Sequence, residues 1–525
     1  MLLRTGAALV AGLLLALAFE PVGASYLIPV AVAGFVLCTR GLPARRGWIP
    51  GLAFGIAFSY VLMFWMRVVG VDAWLALAGL EASFYGVLGA AAAALSRRRL
   101  APLWIACAWV GIEAVRSTWP FGGMPWGRLA FATAETPWDA ALPYVGQSGL
   151  SFLLALLGCL LAQVVVTAGR ARLVSAVAAA VVLGVGLLPA LTPYDVLSGD
   201  TRSVAVVQGN VPGAGDDILL DHRQVTRNHV DATVRLADDV AAGRETEPDF
   251  VLWPENSTAV DPFADPGINA AIEEASDAVR RPILVGAMVD AGTEHVLNQG
   301  IVWAPGTGPG DRYTKWHPVP FGEYIPWRSV FRSNFGRLAL IPRDMRSGTR
   351  VQPLRIADTL VADAICFDVA YDDGIHAQVR RGAELVVVQT SNAMFINTSQ
   401  IEQQFEISRL RAIETGRYVL VAATNGVSGV VAPDGSVLAR AEPRTQAVLT
   451  EEVRLSSAIT PAVRIGPWIG RACAVTAVAA LCFGLLPYRR RQRRGEEVRP
   501  WASRTSDESS SSSRPTTRST TSPRS

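Results

Sequence analysis

Thr359-Leu360-Val361-Ala362-Asp363-Ala364-Ile365-Cys366-Phe367-Asp368 reads as a short buried strand of apolar and small residues that delivers a cysteine at its end. Strand ends that open into a turn suit catalytic groups, because the scaffold holds them while the loop exposes them. The chain has six cysteines, and Cys38, Cys107, Cys159, Cys473 and Cys482 all fall in long apolar runs, so Cys366 is the only one in the polar part. A lone cysteine there excludes an internal disulfide, and the polar domain must stand on its own core. Of the 48 basic residues, one is lysine: Lys315. A chain that uses arginine everywhere else and keeps one lysine points to a need for a compact amine, which the planar guanidinium cannot imitate. A chance residue in a lysine-poor composition is the competing reading.

Outward from this strand the composition changes character. Hydrophobic residues make up 50% and charged residues 18% of the 525, the balance of a membrane protein rather than a cytosolic enzyme. Residues 1–192 hold seven apolar stretches, at roughly 5–22, 24–39, 48–66, 71–95, 101–118, 142–168 and 173–192, with an eighth within 466–488. Most approach the ~20 residues that a helix needs to cross a bilayer. The first has signal-peptide features, Arg4 ahead of it and Gly23-Ala24-Ser25 behind. The second run follows at once, which favours a tight helical hairpin. Arginines gather at every second boundary: Arg4, then Arg40, Arg45 and Arg46, then Arg97, Arg98 and Arg99, then Arg170 and Arg172, then the run from Arg489. The intervening connections hold only Arg67, Arg116 and Arg128. Under the positive-inside rule both termini are cytoplasmic and residues 193–465 lie outside. Residues 489–525, basic and then rich in Ser and Thr, cannot bury a core and read as a disordered cytoplasmic tail.

Segment 193–465 alternates strand and helix patterns. Strands are expected at 203–208, 249–253, 283–289, 300–304, 384–389 and 418–423, and helices at 222–242, 267–280 and 400–416. A hairpin is expected at Pro433-Asp434-Gly435. The class is α/β, with all-apolar strands that helices must cover. There is no Gly-rich phosphate loop, and no Cys/His cluster has zinc spacing, so neither cofactor nor metal is expected. The net charge of +3 singles out no nucleic-acid partner.

Three stretches end a strand with a reactive group. Trp253-Pro254-Glu255 brings out Glu255, where the proline ends ladder pairing. Lys315 is followed eight residues later by Glu323, and Cys366 is followed by Asp368. Carboxylate, amine and thiol form a nucleophilic set. Free cysteine has a pKa near ~8.5, so either a base takes the proton or the site favours thiolate. Glu255 can do the first, and Lys315 the second. Lys315 can also donate to an oxyanion. Taken singly, each residue also reads as structural: Glu255 as a helix-entry charge, Lys315 as a surface residue, Cys366 as small core filling.

Trp253-Pro254-Glu255, then Lys315 with His317-Pro318-Val319-Pro320-Phe321-Gly322-Glu323, then Cys366-Phe367-Asp368 resembles the nitrilase superfamily. Within it, the chain is similar to the membrane-embedded apolipoprotein N-acyltransferase family. Gln208-Gly209-Asn210-Val211-Pro212, Ser391-Asn392, Thr424-Asn425-Gly426 and Phe121-Gly122-Gly123-Met124-Pro125-Trp126 match as well. The resemblance implies a four-layer αββα sandwich inserted between eight transmembrane helices. It makes Glu255 the general base, Lys315 the stabiliser of oxyanion and intermediate, Cys366 the nucleophile, and Glu323 and Asp368 supporting residues. The implied partners are a phospholipid acyl donor, a diacylated apolipoprotein acceptor and the bilayer itself, with a monomer as the expected state. Asp368 stands where the family carries Glu, Met394-Phe395 where it carries a Trp-Phe pair, and Gln403 where it carries His.

Two other readings compete. A membrane-anchored amidase would use the same triad on a small C–N substrate, but an anchor needs one span rather than eight. A transporter or scaffold with a binding domain has no use for the triad. Weaker signals remain in the membrane half and its border. Glu113 and Arg116 lie three apart at the outer end of a span, where one helical face can hold both as an ion pair; a functional role, the default for ionisable residues in a span, is the equal alternative. Trp126 lines a lipid entrance or belongs to an interfacial belt. Met394 and Phe395 are candidate substrate contacts. Residues 327–341, with Phe335 and Leu338 interleaved among arginines, read as a lid dipping into the anionic leaflet.

Overall fold

The computed structural model describes residues 1–485, apart from 193, 195–196, 198, 218–220, 331–337 and 340. Residues 1–481 form one compact unit. Seven helices open the chain: α1 (Leu2–Ala16), α2 (Leu27–Thr39), α3 (Ala44–Leu62), α4 (Val71–Leu95), α5 (Ala101–Arg116), α6 (Leu142–Val166) and α7 (Gly169–Leu187). The order then runs β1 (Thr201–Gln208), α8 (His222–Ala241), β2 (Phe250–Leu252), α9 (Pro266–Val279), β3 (Ile283–Asp290), β4 (His295–Ala304), β5 (Gly308–Thr314), β6 (Asp344–Met345), β7 (Leu354–Ile356) and β8 (Thr359–Ile365). It continues with α10 (Asp372–Arg380), β9 (Leu385–Thr390), α11 (Gln400–Thr415), β10 (Val419–Ala423), β11 (Gly429–Val431), β12 (Val437–Arg440) and β13 (Ala447–Arg454). Helices α12 (Pro461–Ile465) and α13 (Trp468–Leu485) close the described chain.

Every apolar stretch read from the sequence contains a helix. By length and composition, Val71–Leu95, Asp139–Val166 and Gly169–Leu191 suffice to cross a membrane, while Leu2–Ala16, Leu27–Thr39 and Trp468–Cys482 are apolar but shorter. The α1–α2 hairpin is there because Pro21 and Gly23 interrupt the helix and Gly23 takes φ +66°.

Two sheets stack face to face. One runs β13-β1-β2-β3-β4-β5 with β6 on β4, the other β12-β11-β10-β9-β8-β7. Each has a parallel centre (β1, β2, β3 in one; β8, β9, β10 in the other) and antiparallel flanks, except that the short β6 runs parallel to β4. Side chains alternate across a strand, and both inner faces are apolar: Val204, Val206, Leu252 and Leu284 meet Val361, Ile365, Val387 and Leu420. The outer face of the first sheet is covered by α8 and α9 through Leu236, Ile268 and Ile272. That of the second is covered by α10 and α11 through Ile375, Phe405 and Leu410, continuous with the core of the membrane helices. The αββα sandwich is therefore complete, with its second helical layer resting on the membrane half.

Strands β5, β7 and β13 and helices α10 and α12 escape the sequence reading. β5 is Gly308-Pro309-Gly310-Asp311-Arg312 before it becomes apolar, and its first residues are largely exposed. An edge strand needs pairing on one side only and can keep a polar, turn-like composition.

Candidate active site

The reactive groups arrive on the carboxyl ends of strands from both sheets. β2 ends at Leu252, the buried Trp253 and Pro254 follow, and Glu255 turns inward, 3% exposed. This turn lies so close to β3 that a Cβ on Gly286 would sit 2.1 Å from the Pro254 carbonyl oxygen. β5 leads to Lys315, whose backbone N–H donates to Asn298 O at 2.9 Å and extends the ladder by one residue. β8 ends one residue before Cys366, which opens the 3-10 turn Cys366–Ala370 with φ +52°. A left-handed non-glycine residue costs about 1–3 kcal/mol and persists where its surroundings over-determine it.

Lys315 is fully buried, and its Nζ donates to Glu255 Oε1 at 3.1 Å and to Glu323 Oε1 at 2.6 Å. Glu323 Oε2 accepts the Val319 N–H at 2.7 Å. Glu255 is fixed on both oxygens: Asn298 Nδ2 donates to Oε1 at 2.6 Å and the Ser391 N–H to Oε2 at 2.9 Å. Asp368 binds the lysine segment to the cysteine turn. Its Oδ1 accepts the His317 N–H at 2.7 Å, and its Oδ2 accepts the Tyr313 hydroxyl at 2.9 Å and the Trp316 N–H at 3.1 Å.

Burial pushes the Cys366 thiol up to about 12. The Glu255 charge adds to the rise, while Lys315 opposes it. Burial works against the Lys315 charge, but Glu255, Glu323 and Cys366 outweigh it and hold the ammonium well above the usual lysine range. Burial raises Glu323, Lys315 opposes this, and Glu255 adds to it. Of the two routes to a nucleophile, a preformed thiolate is disfavoured, and proton removal by a base is what remains. The expected pH behaviour follows. An ordinary thiol is half ionised at ~8.5 and levels off above about pH 9.5, whereas Cys366 alkylation should keep rising about tenfold per pH unit through pH 10. Iodoacetamide kinetics check this, and a plateau below pH 9 would show a thiolate already formed.

Of the remaining candidates, Trp126 is 3% exposed and fits no interfacial belt. Its ring stacks on Phe367 with centroids 6.3 Å apart, and its Nε1 donates to Gln403 Oε1 at 2.7 Å. Trp65 Nε1 donates to the same oxygen at 3.1 Å, and Gln403 Nε2 donates to Glu20 O at 2.8 Å. Phe395 packs its ring on Trp65, and Met394 is half exposed. Within the lid stretch, Phe335 lies outside the described residues, Leu338 is half-buried and Trp327 is exposed beside Phe121. Arg328 pairs with Asp344 and Arg343 with Asp290, so these two arginines are already partnered by carboxylates of the protein. The expected Glu113–Arg116 pair is not formed. Glu113 Oε1 accepts the Leu129 N–H at 2.9 Å, while Arg116 turns to Glu81 at 2.7 Å on the neighbouring helix. Asn298 went unread, although an Asn-Gln pair inside an apolar strand was the signal that could have found it.

The apolipoprotein N-acyltransferase N-terminal domain family matches residues 11–160, and the carbon-nitrogen hydrolase family matches residues 203–460. The apolipoprotein N-acyltransferase of Mycolicibacterium smegmatis is 36% identical over 91% of this chain and 85% of that protein. Those of Methylococcus capsulatus (29%; 94% of this chain, 98% of that protein) and Ralstonia nicotianae (30%; 87% and 88%) are similar along nearly their whole lengths. With residues 11–160 matching one family domain, the sandwich matching the other, and a relative of that name 36% identical over 91% of the chain, the chain belongs to the apolipoprotein N-acyltransferase family.

Proposed function

We propose that the chain moves a fatty acyl group from a membrane phospholipid, through a thioester on Cys366, to the N-terminal α-amine of a diacylglyceryl-cysteine lipoprotein. The observation that carries this reading is the buried Glu255–Lys315–Glu323 array beside the one cysteine of the sandwich. Glu255 takes the thiol proton as Sγ attacks the ester carbonyl. Lys315 Nζ faces the oxyanion of the tetrahedral intermediate. Collapse breaks the ester C–O bond, and the proton on Glu255 leaves with the lysolipid oxygen. The acceptor amine then gives a proton to Glu255 and attacks the thioester. The C–S bond breaks, and the thiolate takes the proton back as the amide is completed.

The membrane half has a physical rationale here. Both substrates are anchored in lipid, and extracting either into water would cost ~0.8 kcal/mol per methylene. A site resting directly on membrane helices avoids that cost. No nucleotide enters the balance, in keeping with a sequence that carries no phosphate loop. Intact mass of the protein isolated from membranes should show one fatty acyl group, removable by a diacylglyceryl-cysteine peptide. A protein without the adduct after incubation with phospholipid, and unable to acylate that peptide, would sink the reading.

We also infer eight crossings, both termini cytoplasmic, and the sandwich outside the membrane on the side away from the arginine clusters. A reporter active only outside the cell, fused after residue 500, should stay silent; activity there would overturn this topology.

A further inference from the structure

Arg116 lies in the last turn of α5, 1% exposed, and the chemistry above does not use it. Its Nη1 donates to Glu81 Oε2 on α4 at 2.7 Å, to Trp126 O at 2.6 Å and to Met124 O at 3.1 Å. The Met124 N–H donates back to Arg116 O at 2.7 Å. The loop of residues 121–126 is thereby folded down onto the end of its own helix. It lies so close that a Cβ on Gly123, at φ +83°, would sit 2.2 Å from the carbonyl carbon of Ser117. A buried guanidinium is costly unless a charge and hydrogen bonds answer it; here Glu81 and two carbonyls answer Nη1, while Nε and Nη2 have no hydrogen-bond partner among the described residues.

The opposite side of the same loop is gripped by the catalytic segments. Tyr324, the neighbour of Glu323, donates its hydroxyl to Phe121 O at 3.2 Å. Tyr371, which directly follows the Cys366–Ala370 turn, donates to Gly123 O at 2.9 Å and lies 3.3 Å from Gly122 O. Trp126 stacks on Phe367, the residue after the nucleophile. One loop of the membrane half therefore touches both the cysteine turn and the segment that delivers the second carboxylate on Lys315.

We propose that Arg116, paired with Glu81, is a positioning residue for acyl transfer. It makes residues 121–126 a fixed platform against which the strained Cys366 turn and the Glu323 segment are held. It touches neither substrate nor reacting atoms and acts through the loop. The inference rests on the acyl-transfer reading. Its physical basis is that the φ +52° conformation of Cys366 needs support from outside its own strand. Of the supports, Tyr371 and Phe367 are the two that lean on this loop.

The test is the rate of acyl-enzyme formation from phospholipid vesicles, per mole of monodisperse full-length protein, for Arg116→Met and Arg116→Lys. Small displacements of reacting groups carry large rate penalties, so Arg116→Met should lower kcat roughly 10- to 100-fold with KM within about twofold of wild type. Arg116→Lys should stay within about fivefold, because an ammonium still offers three donors to the three acceptors. Unchanged kcat in Arg116→Met overturns the inference. So does a raised KM at unchanged kcat, which would mean a donor-binding role. If Arg116→Met does not accumulate, Tyr371→Phe releases the other side of the loop from outside the membrane helices. It should lower kcat about fivefold or more, and wild-type kcat there overturns the inference. A wild-type protein that never carries an acyl group overturns the acyl-transfer reading, and this inference with it. A wild-type protein that does, matched by Arg116→Met, overturns this inference alone.

Discussion

Cys366→Ala and Cys366→Ser both yield a folded, membrane-inserted protein in which no acyl-enzyme forms. The expectation of folding comes from the backbone. Cys366 adopts φ +52° in the wild type, and Ala or Ser meets the same steric penalty there, so neither exchange adds strain. The residue is partly exposed at a strand end, so removing sulfur leaves no large sealed cavity. The loss of chemistry is nevertheless complete for Ala, which has no nucleophile. Serine keeps an oxygen, but its hydroxyl is a far weaker acid than a thiol, so the same carboxylate, Glu255, is a much poorer base for it. The measurement is the intact mass of each variant after incubation with phospholipid vesicles. An acyl adduct at wild-type level in either would remove Cys366 from the nucleophile role.

Lys315→Arg loses nearly as much activity as Lys315→Ala, although it keeps the positive charge. The amine sits in a fully buried site between two carboxylate oxygens at 3.1 and 2.6 Å. A guanidinium is larger and planar, and it cannot place a point charge at the position of Nζ. Forcing it into closed packing costs on the order of 1–3 kcal/mol in displaced neighbours. Loss of one oxyanion donor lowers rates on the order of 10²–10³-fold, and that is the expected fall in acylation rate for both variants. Stability separates them. Lys315→Ala leaves Glu255 and Glu323 facing each other without a counter-ion, and removing one partner of a buried pair costs on the order of 3–5 kcal/mol. Lys315→Arg retains the charge and so most of that stability. Single-turnover acylation together with thermal unfolding in detergent measures both effects. An Arg variant within a few-fold of the wild-type rate would show that Lys315 stands aside from the reacting carbonyl.

The sequence by itself determined what is local. Apolar runs of near-membrane length became α1 to α7 and α13 because a helix satisfies its backbone within its own segment. The largely apolar strands β2, β8, β9 and β10 were legible because burial on both faces leaves a near-continuous hydrophobic run. Glu255, Lys315 and Cys366 stood out by rarity and by position at strand ends. The tertiary structure alone decided the pairings. Glu113 sits three residues from Arg116 on the same helix, yet the guanidinium takes Glu81, 35 residues away, because α4 packs against α5 there and Leu129 N–H claims Glu113. Asn298 as the second donor to Glu255, and Gln403 as the common acceptor of the Trp65 and Trp126 indoles, are bonds across 43, 338 and 277 residues. The polar edge strands β5 and β13 exist because β4 and β1 offer them unpaired backbone groups. Composition and period report how a segment meets water and its own backbone. A hydrogen bond between distant residues depends on where the packed core brings their atoms, and no local pattern carries that distance.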